Sequence, residues 1–178
     1  TGFTNADLSA IENGTLTAVV STDGGITYTA TFTPTATITD TTNVITLLKT
    51  GVADAAGNAG VGSTNSNNYA IDTLAPTLSS STPADNATAV VVGNNIVLSF
   101  SETVTAGTGN FVITNGAADT RTIAVGDAQV SISGSTVTIN PTADLLANSA
   151  YNIQMASGVL RDSAGNAYAG IADATTLN

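Results

Sequence analysis

Short runs in which apolar and polar residues alternate, separated by Gly, Asn, Asp and Pro, recur along most of the chain. In "IVLSF" (96–100), Ile96, Leu98 and Phe100 share one face of an extended strand, and in "YNIQM" Tyr151, Ile153 and Met155 do the same. Similar runs lie in "GTLTAVVST" (14–22), "ITYTATF" (26–32), "NVITLLKTGV" (43–52), "NNYAID" (67–72), "GNFVITNG" (109–116), "TRTIAVGD" (120–127) and "AQVSISGSTVTINP" (128–141). This pattern predicts the many short strands of an all-β sandwich. A helical period extends for no more than about a turn, near "TADLLANS" (142–149).

Threonine occupies every second position from Thr27 to Thr39. The intervening residues are Tyr28, Ala30, Phe32, Pro34, Ala36 and Ile38, which predicts a buried face with the hydroxyls turned to solvent. Pro34 interrupts the ladder, and one strand is no flat array, so it reads as scaffold rather than as an ice, mineral or fibril-stacking surface.

Two stretches repeat each other. "GVADAAGNAGVG" (51–62) and "GVLRDSAGNAYAG" (158–170) share Gly-Val followed by Asp-x-Ala-Gly-Asn, about one small sandwich apart. Pro76 and Pro83 punctuate "AIDTLAPTLSSSTPADNA" (70–87), which reads as a linker leading into a first strand. The expected domains are therefore 1–71 and 72–178.

Composition removes several kinds of chemistry. The 178 residues contain no Cys and no His, so disulfides, thiol chemistry and a Ser-His-Asp triad are excluded. Thirteen acidic residues face three basic ones, for a formal charge of −10. That balance argues against nucleic acid, whose phosphates need clustered Lys and Arg, and suits hard cations held by oxygen. No apolar run approaches the roughly 20 residues of a membrane-spanning helix. The chain opens mid-pattern at "TGFTNADLS", so it reads as an excised or processed piece, and its cysteine-free, lysine-poor, threonine-rich composition is common in long secreted bacterial surface proteins.

"YAIDTLAPTLSSSTPADNATAV", "NNIVLSFSETV" and "GSTVTINPTADLLANSAYNIQMASGVLRDSAGNAY" together resemble the bacterial Ig-like domains of S-layer proteins and large surface adhesins. "TGFTNADLS", "NGTLTAVVSTDGGITYTATFTPTA", "GVADAAGNAG" and "NYAIDT" resemble a related Ig-like repeat of giant, often calcium-dependent, adhesins. The resemblance implies tandem immunoglobulin-like Greek-key β-sandwiches, the first lacking its N-terminal strands A and B. "NPTADLLANSAY" adds a tyrosine-corner pattern before strand F.

In such a sandwich the end of strand B and the F–G loop share a tip. With "LSFSE" as strand B and "RDSAGN" as the F–G loop, Glu102, Asp162 and Asn166 converge, and Asp72 on the incoming linker can join them. Carboxylates with an amide or carbonyl make a hard-oxygen set suited to calcium. Asp54 and Asn58 form the equivalent pair in the first block, without the upstream glutamate. The alternative reading of Asp-x-Ala-Gly-Asn is a hairpin loop closed by its own hydrogen bonds. Asp85 and Asn86 read as a turn at the far tip, Lys49 as a solvated lysine rather than an isopeptide donor, and Arg121 and Arg161 as surface ion-pair partners. "NGT" (13–15) and "NAT" (86–88) match the glycosylation pattern by its shortness.

The function expected is a non-catalytic spacer of a secreted bacterial surface adhesin or extracellular fibre, with calcium stiffening the joint. Its partners would be adjacent Ig-like repeats or identical subunits. The alternatives are a filament subunit completed by donor-strand exchange and a carbohydrate-binding accessory module of a secreted enzyme.

Overall fold

The computed structural model describes residues 2–116 and 118–178. It divides into two compact units, Thr1–Leu74 and Ala75–Asn178. Nearly all regular structure is antiparallel β, and among the described residues no helix is long and apolar enough to cross a membrane.

The second unit is the better packed. Its strands are β8 (Leu78–Thr82), β9 (Ile96–Phe100), β10 (Thr105–Ala106), β11 (Asn110–Thr114), β12 (Thr120–Ala124), β13 (Val130–Ser133), β14 (Thr136–Ile139), β15 (Asn152–Met155) and β16 (Leu160–Arg161). One sheet has the order β13-β14-β9-β8 and the other β12-β11-β15. The chain passes from the first sheet at β9 to the second at β11, back to the first at β13, and over again at β15. This is the Greek-key alternation of an immunoglobulin-like sandwich. A final segment runs along β15 through mutual bonds between Met155 and Ile171 and a bond from the Ile153 N–H to the Leu177 carbonyl.

Alternation in the sequence becomes burial here. Ile96, Leu98 and Phe100 from β9, Phe111 and Ile113 from β11, and Val137 and Ile139 from β14 are all buried between the sheets. Phe100 meets Tyr168 edge to face, with ring centroids 5.1 Å apart. Each such aliphatic or aromatic side chain contributes about 1.5–3 kcal/mol by leaving water. Strand β8 is an outer strand, and its register with β9 shifts between Leu78 and Ser80. The expected short helical turn near residues 142–149 is absent; bends and a turn at Ala147–Asn148 replace it. That segment is instead held from outside. The Tyr151 hydroxyl accepts the Leu146 N–H (3.1 Å) and donates to Asp119 (2.7 Å), a tyrosine corner. Arg121 forms a salt bridge with Asp119 (2.9 Å) and donates to the carbonyls of Ala143 and Asp144.

The first unit comprises β1 (Leu8–Ser9), β2 (Gly14–Leu16), β3 (Phe32–Pro34), β4 (Thr39–Asn43), β5 (Thr46–Leu48), β6 (Ser63–Asn65) and β7 (Tyr69–Asp72). These pair as β1-β5-β6, β2-β3 and β4-β7. Among its described residues, Ile71 is the one buried hydrophobic side chain, whereas Ile26 and Val61 are more than 80 % exposed. Its centre is polar. Asn43, fully buried at the end of β4, donates through Nδ2 to the Asp40 (3.2 Å) and Tyr69 (3.0 Å) carbonyls. Its Oδ1 accepts from Asn13 (2.7 Å), and its backbone N–H reaches the Asn68 side chain (2.9 Å). Asn13 stands at φ +52°, and the Gly14 that follows leaves room for the neighbouring strand, because a Cβ there would lie 2.7 Å from the Thr33 carbonyl and against the Phe32 ring.

Strands in this unit are shorter than the sequence predicts. Residues 14–22 and 26–32 are joined by β2-β3 and by an isolated bridge between Val20 and Thr29, and 43–52 breaks into the end of β4, β5 and a 3-10 turn at Lys49–Gly51. The threonine ladder is likewise not one strand: Thr37 adopts φ +61° between β3 and β4, so the period of two is interrupted. The threonines from 27 to 39 are nevertheless all exposed, and on the intervening positions only Tyr28, Phe32 and Ile38 are half-buried.

Candidate functional site

The Asp-x-Ala-Gly-Asn repeat folds into the same loop in both units. In the second, β16 ends at Arg161, which bridges to Ala167, and the loop between them is closed by its own side chains. The Asp162 N–H donates to the Asn166 carbonyl (3.1 Å). In return Asn166 donates its N–H to Asp162 Oδ1 (2.8 Å) and its amide Nδ2 to Oδ2 (2.7 Å). Gly165 supplies the left-handed turn, φ +96°. In the first unit, Asp54 and Asn58 repeat every one of these bonds, at 3.0, 2.9 and 2.8 Å, with Gly57 at φ +89°. The Asn58 amide and N–H, with the Ala56 N–H, hold the Asp54 carboxyl below its usual pKa by stabilising the anion.

The two loops differ in their surroundings. Asp54 and Asn58 are exposed, and the structure gathers no three acidic ligand groups around them among the described residues. Asp162 is only 3 % exposed, and a Glu102 carboxylate oxygen lies within 4.8 Å of one of its own. Glu102 follows β9 by two residues, and β10 and β16 pair beside it, which is how the fold brings the end of one strand against the loop after another. Thr105 is a residue the sequence reading passed over: its hydroxyl donates to the Arg161 carbonyl (3.2 Å) and lies 3.5 Å from the Asp162 carbonyl. Nothing in its sequence context marks it, since threonine is everywhere in this chain. Arg161, expected as an ion-pair partner, instead donates to the Gly165 carbonyl across the loop (2.8 Å). Arg121 does pair with an acid.

Asp72 closes β7 in the first unit, where its Oδ1 accepts from the Thr39 hydroxyl (3.0 Å) and the Leu74 N–H (3.2 Å). Asp85 and Asn86 form the expected turn, with Asn86 at φ +59°.

The donor chemistry of the Glu102–Asp162 pair suits a hard divalent cation. Each Asp162 oxygen accepts one bond from Asn166 and retains a second lone-pair direction. Two carboxylate oxygens at this separation are spanned by two calcium–oxygen bonds of about 2.3–2.6 Å. With Nδ2 turned to Asp162, Asn166 presents Oδ1 as its acceptor. The chain has neither His nor Cys, so a Ser-His or Cys-His pair is not among these groups.

Sequence comparison agrees with this topology. Two family models, each described as a bacterial Ig-like domain, match residues 1–71 and 72–176. The chain belongs to the bacterial Ig-like domains. It carries two of them in tandem, as their resemblance and the strand pattern led one to expect. Members of this family are typically non-catalytic modules and are often extracellular or surface-associated. No characterised protein and no solved structure gave a match.

Proposed function

We propose that this tandem of bacterial Ig-like domains is a non-catalytic spacer of a secreted surface adhesin or extracellular fibre, whose joint is stiffened by calcium. The supporting observation is the buried Asp162 with Glu102 beside it, on a loop whose twin in the first unit needs no such neighbour to form. Two anions brought this close raise each other's energy unless a cation or a proton intervenes. In this reading Glu102 and Asp162 supply charge, Asn166 supplies an amide oxygen, and Asp72 supplies a third carboxylate from the linker. Covalent reach favours Asp72: it precedes Thr77 by five residues, at most about 17 Å of chain. Thr77 is fastened to Ser101, next to Glu102, by bonds of 3.0 and 2.9 Å. The bound ion would neutralise the cluster and restrict the linker, so the pair of domains would behave as a stiffer rod. Neighbouring Ig-like repeats or identical subunits would extend that rod.

Thermal melts with and without chelator test this reading. With calcium at a hundredfold excess over Kd, the ion stabilises by about 2.7 kcal/mol, which a chelator should abolish. Glu102→Gln should remove the response while leaving the Asp162–Asn166 loop bonds intact. Asp54→Asn, which weakens the twin loop alone, should leave the response as it is in the native chain. A melting temperature indifferent to chelator would refute the calcium joint.

A further inference from the structure

In the second unit, β8 and the final segment are the outermost strands on one side of the sandwich, and they face each other across an open groove lined by Leu78, Ser81, Ala84, Thr176 and Leu177. Among the described residues, hydrogen bonds cross this seam at a single place. The Asn178 N–H donates to Asp85 Oδ1 (3.0 Å), and the Asn86 N–H donates to the Asn178 carbonyl (2.7 Å). Both partners are themselves well held. The Asn86 amide braces Asp85 Oδ2 (2.8 Å), and the Ala87 N–H closes the turn on the Ala84 carbonyl. On the other side, Asp173 accepts from the N–H and hydroxyl of both Thr175 and Thr176, which holds its carboxyl down at about 2 and fixes the approach to the buried Leu177.

The position of this clasp relative to β8 matters. Thr77, at the start of β8, is tied to Ser101; the Asp85–Asn86 turn, which holds Asn178, lies beyond its other end. The two ends of the unit are therefore separated along the length of β8, about 16 Å for five residues. Tension between Ala75 and Asn178 pulls β8 lengthwise against β9, so the ladder bonds share the load rather than breaking one by one. It pulls the final segment lengthwise along β15 as well. Among the described residues, the clasp is the one bond set that hands force from that segment directly to the turn following β8.

We propose that the Asp85–Asn86 turn is a mechanical clasp, which keeps the seam between β8 and the final segment shut when the chain is stretched end to end. This rests on the spacer reading, since a clasp of this kind matters to a module that carries tension. Asp85 acts here as a positioning residue, through the backbone of Asn178.

Single-molecule stretching of the whole chain tests it. Because the sequence contains no cysteine, attachment points can be set by single added thiols. Under end-to-end tension Asp85→Ala should open the second unit roughly tenfold faster at a given force, the effect of losing about one strong hydrogen bond from the barrier. Asp85→Asn keeps an acceptor oxygen and should follow the native chain. When tension is applied instead between the N-terminus and a thiol at exposed position 118 (Ala118→Cys), the final segment is slack and Asp85→Ala should change nothing. Equal opening rates for the native chain and Asp85→Ala under end-to-end tension would overturn the clasp, as would the same acceleration in both pulling directions. A native second unit that yields without resistance in both directions would instead overturn the tension-carrying reading, and the clasp with it.

Discussion

Replacing Asn43 with leucine tests what holds the first unit together. The substitution keeps the branched outline of the side chain, with two bulkier methyl groups, and adds apolar surface at a fully buried position, so hydrophobicity alone would stabilise the fold. The hydrogen bonds point the other way. Leucine leaves the Asp40 and Tyr69 carbonyls and one Asn13 donor without the partner they have now. A buried polar group left without a partner costs about 1–3 kcal/mol. Three such losses, partly relieved because Asn13 keeps its bond to Asp40 Oδ2 (2.8 Å), come to about 4 kcal/mol. The buried leucine returns about 2 kcal/mol, for a net destabilisation of about 2 kcal/mol. Asn43→Ala lacks that return and should cost about 4 kcal/mol. A domain this size has total stability of roughly 4–10 kcal/mol, so the alanine variant should sit near the edge of folding. Hydrogen exchange followed by mass spectrometry separates the units: protection around residues 39–48 should fall, more for alanine than for leucine, while residues 109–115 stay as they are. A leucine variant as well protected as the native chain would show that the polar centre contributes nothing.

Two further outcomes are expected. The bonds from Arg121 and then Tyr151 hold the Asp119 carboxyl below the ordinary aspartate range, so its contribution is fully present above the unfolded pKa of about 3.9 and fades as pH falls through the lower folded value. Acid melts should therefore show Asp119→Asn less stable than the native chain at neutral pH, with the gap narrowing as pH falls below about 4; a gap that does not narrow on acidification would refute the assignment. Gly165 and Gly170 both hold positive φ, but a Cβ at Gly170 would meet the Met155 carbonyl at 2.5 Å while one at Gly165 meets nothing. Calorimetry should find Gly165→Ala destabilised by about 1 kcal/mol and Gly170→Ala by considerably more, and equal costs would show that backbone strain alone matters.

The second unit was readable because its burial follows a period of two. Ile96, Leu98 and Phe100 alternate with half-exposed residues, and the sandwich covers one face of each strand, so the pattern and the structure obey the same rule. The Asp162–Asn166 loop was readable for a local reason: Asp, Gly and Asn at those spacings close a turn with their own atoms wherever they occur, as Asp54 and Asn58 repeat. The closeness of Glu102 to Asp162 depended on topology, and became legible only once strand order was granted. Asn43 was illegible. It stands at the head of "NVITLLKTGV" and looks like a solvated strand end, whereas its partners Asn13, Asn68 and Tyr69 lie 25 or more residues away. The threonine run misled by its regularity, because a single left-handed residue, Thr37, undoes a period that composition cannot see.

Strand β8 bears on how such a chain deters pairing at an open sheet edge. Outer strands invite pairing with strands of other molecules, and proteins commonly deter this with lysines set on the edge. With three basic residues in 178, this chain has few to spare. The shift of register at Leu78–Ser80 and the prolines at 76 and 83 on either side give β8 an irregular, shortened rim that a straight neighbour cannot match along its length. The guard at this edge lies in backbone shape instead of charge, and such a guard should persist in salt that would screen an electrostatic one.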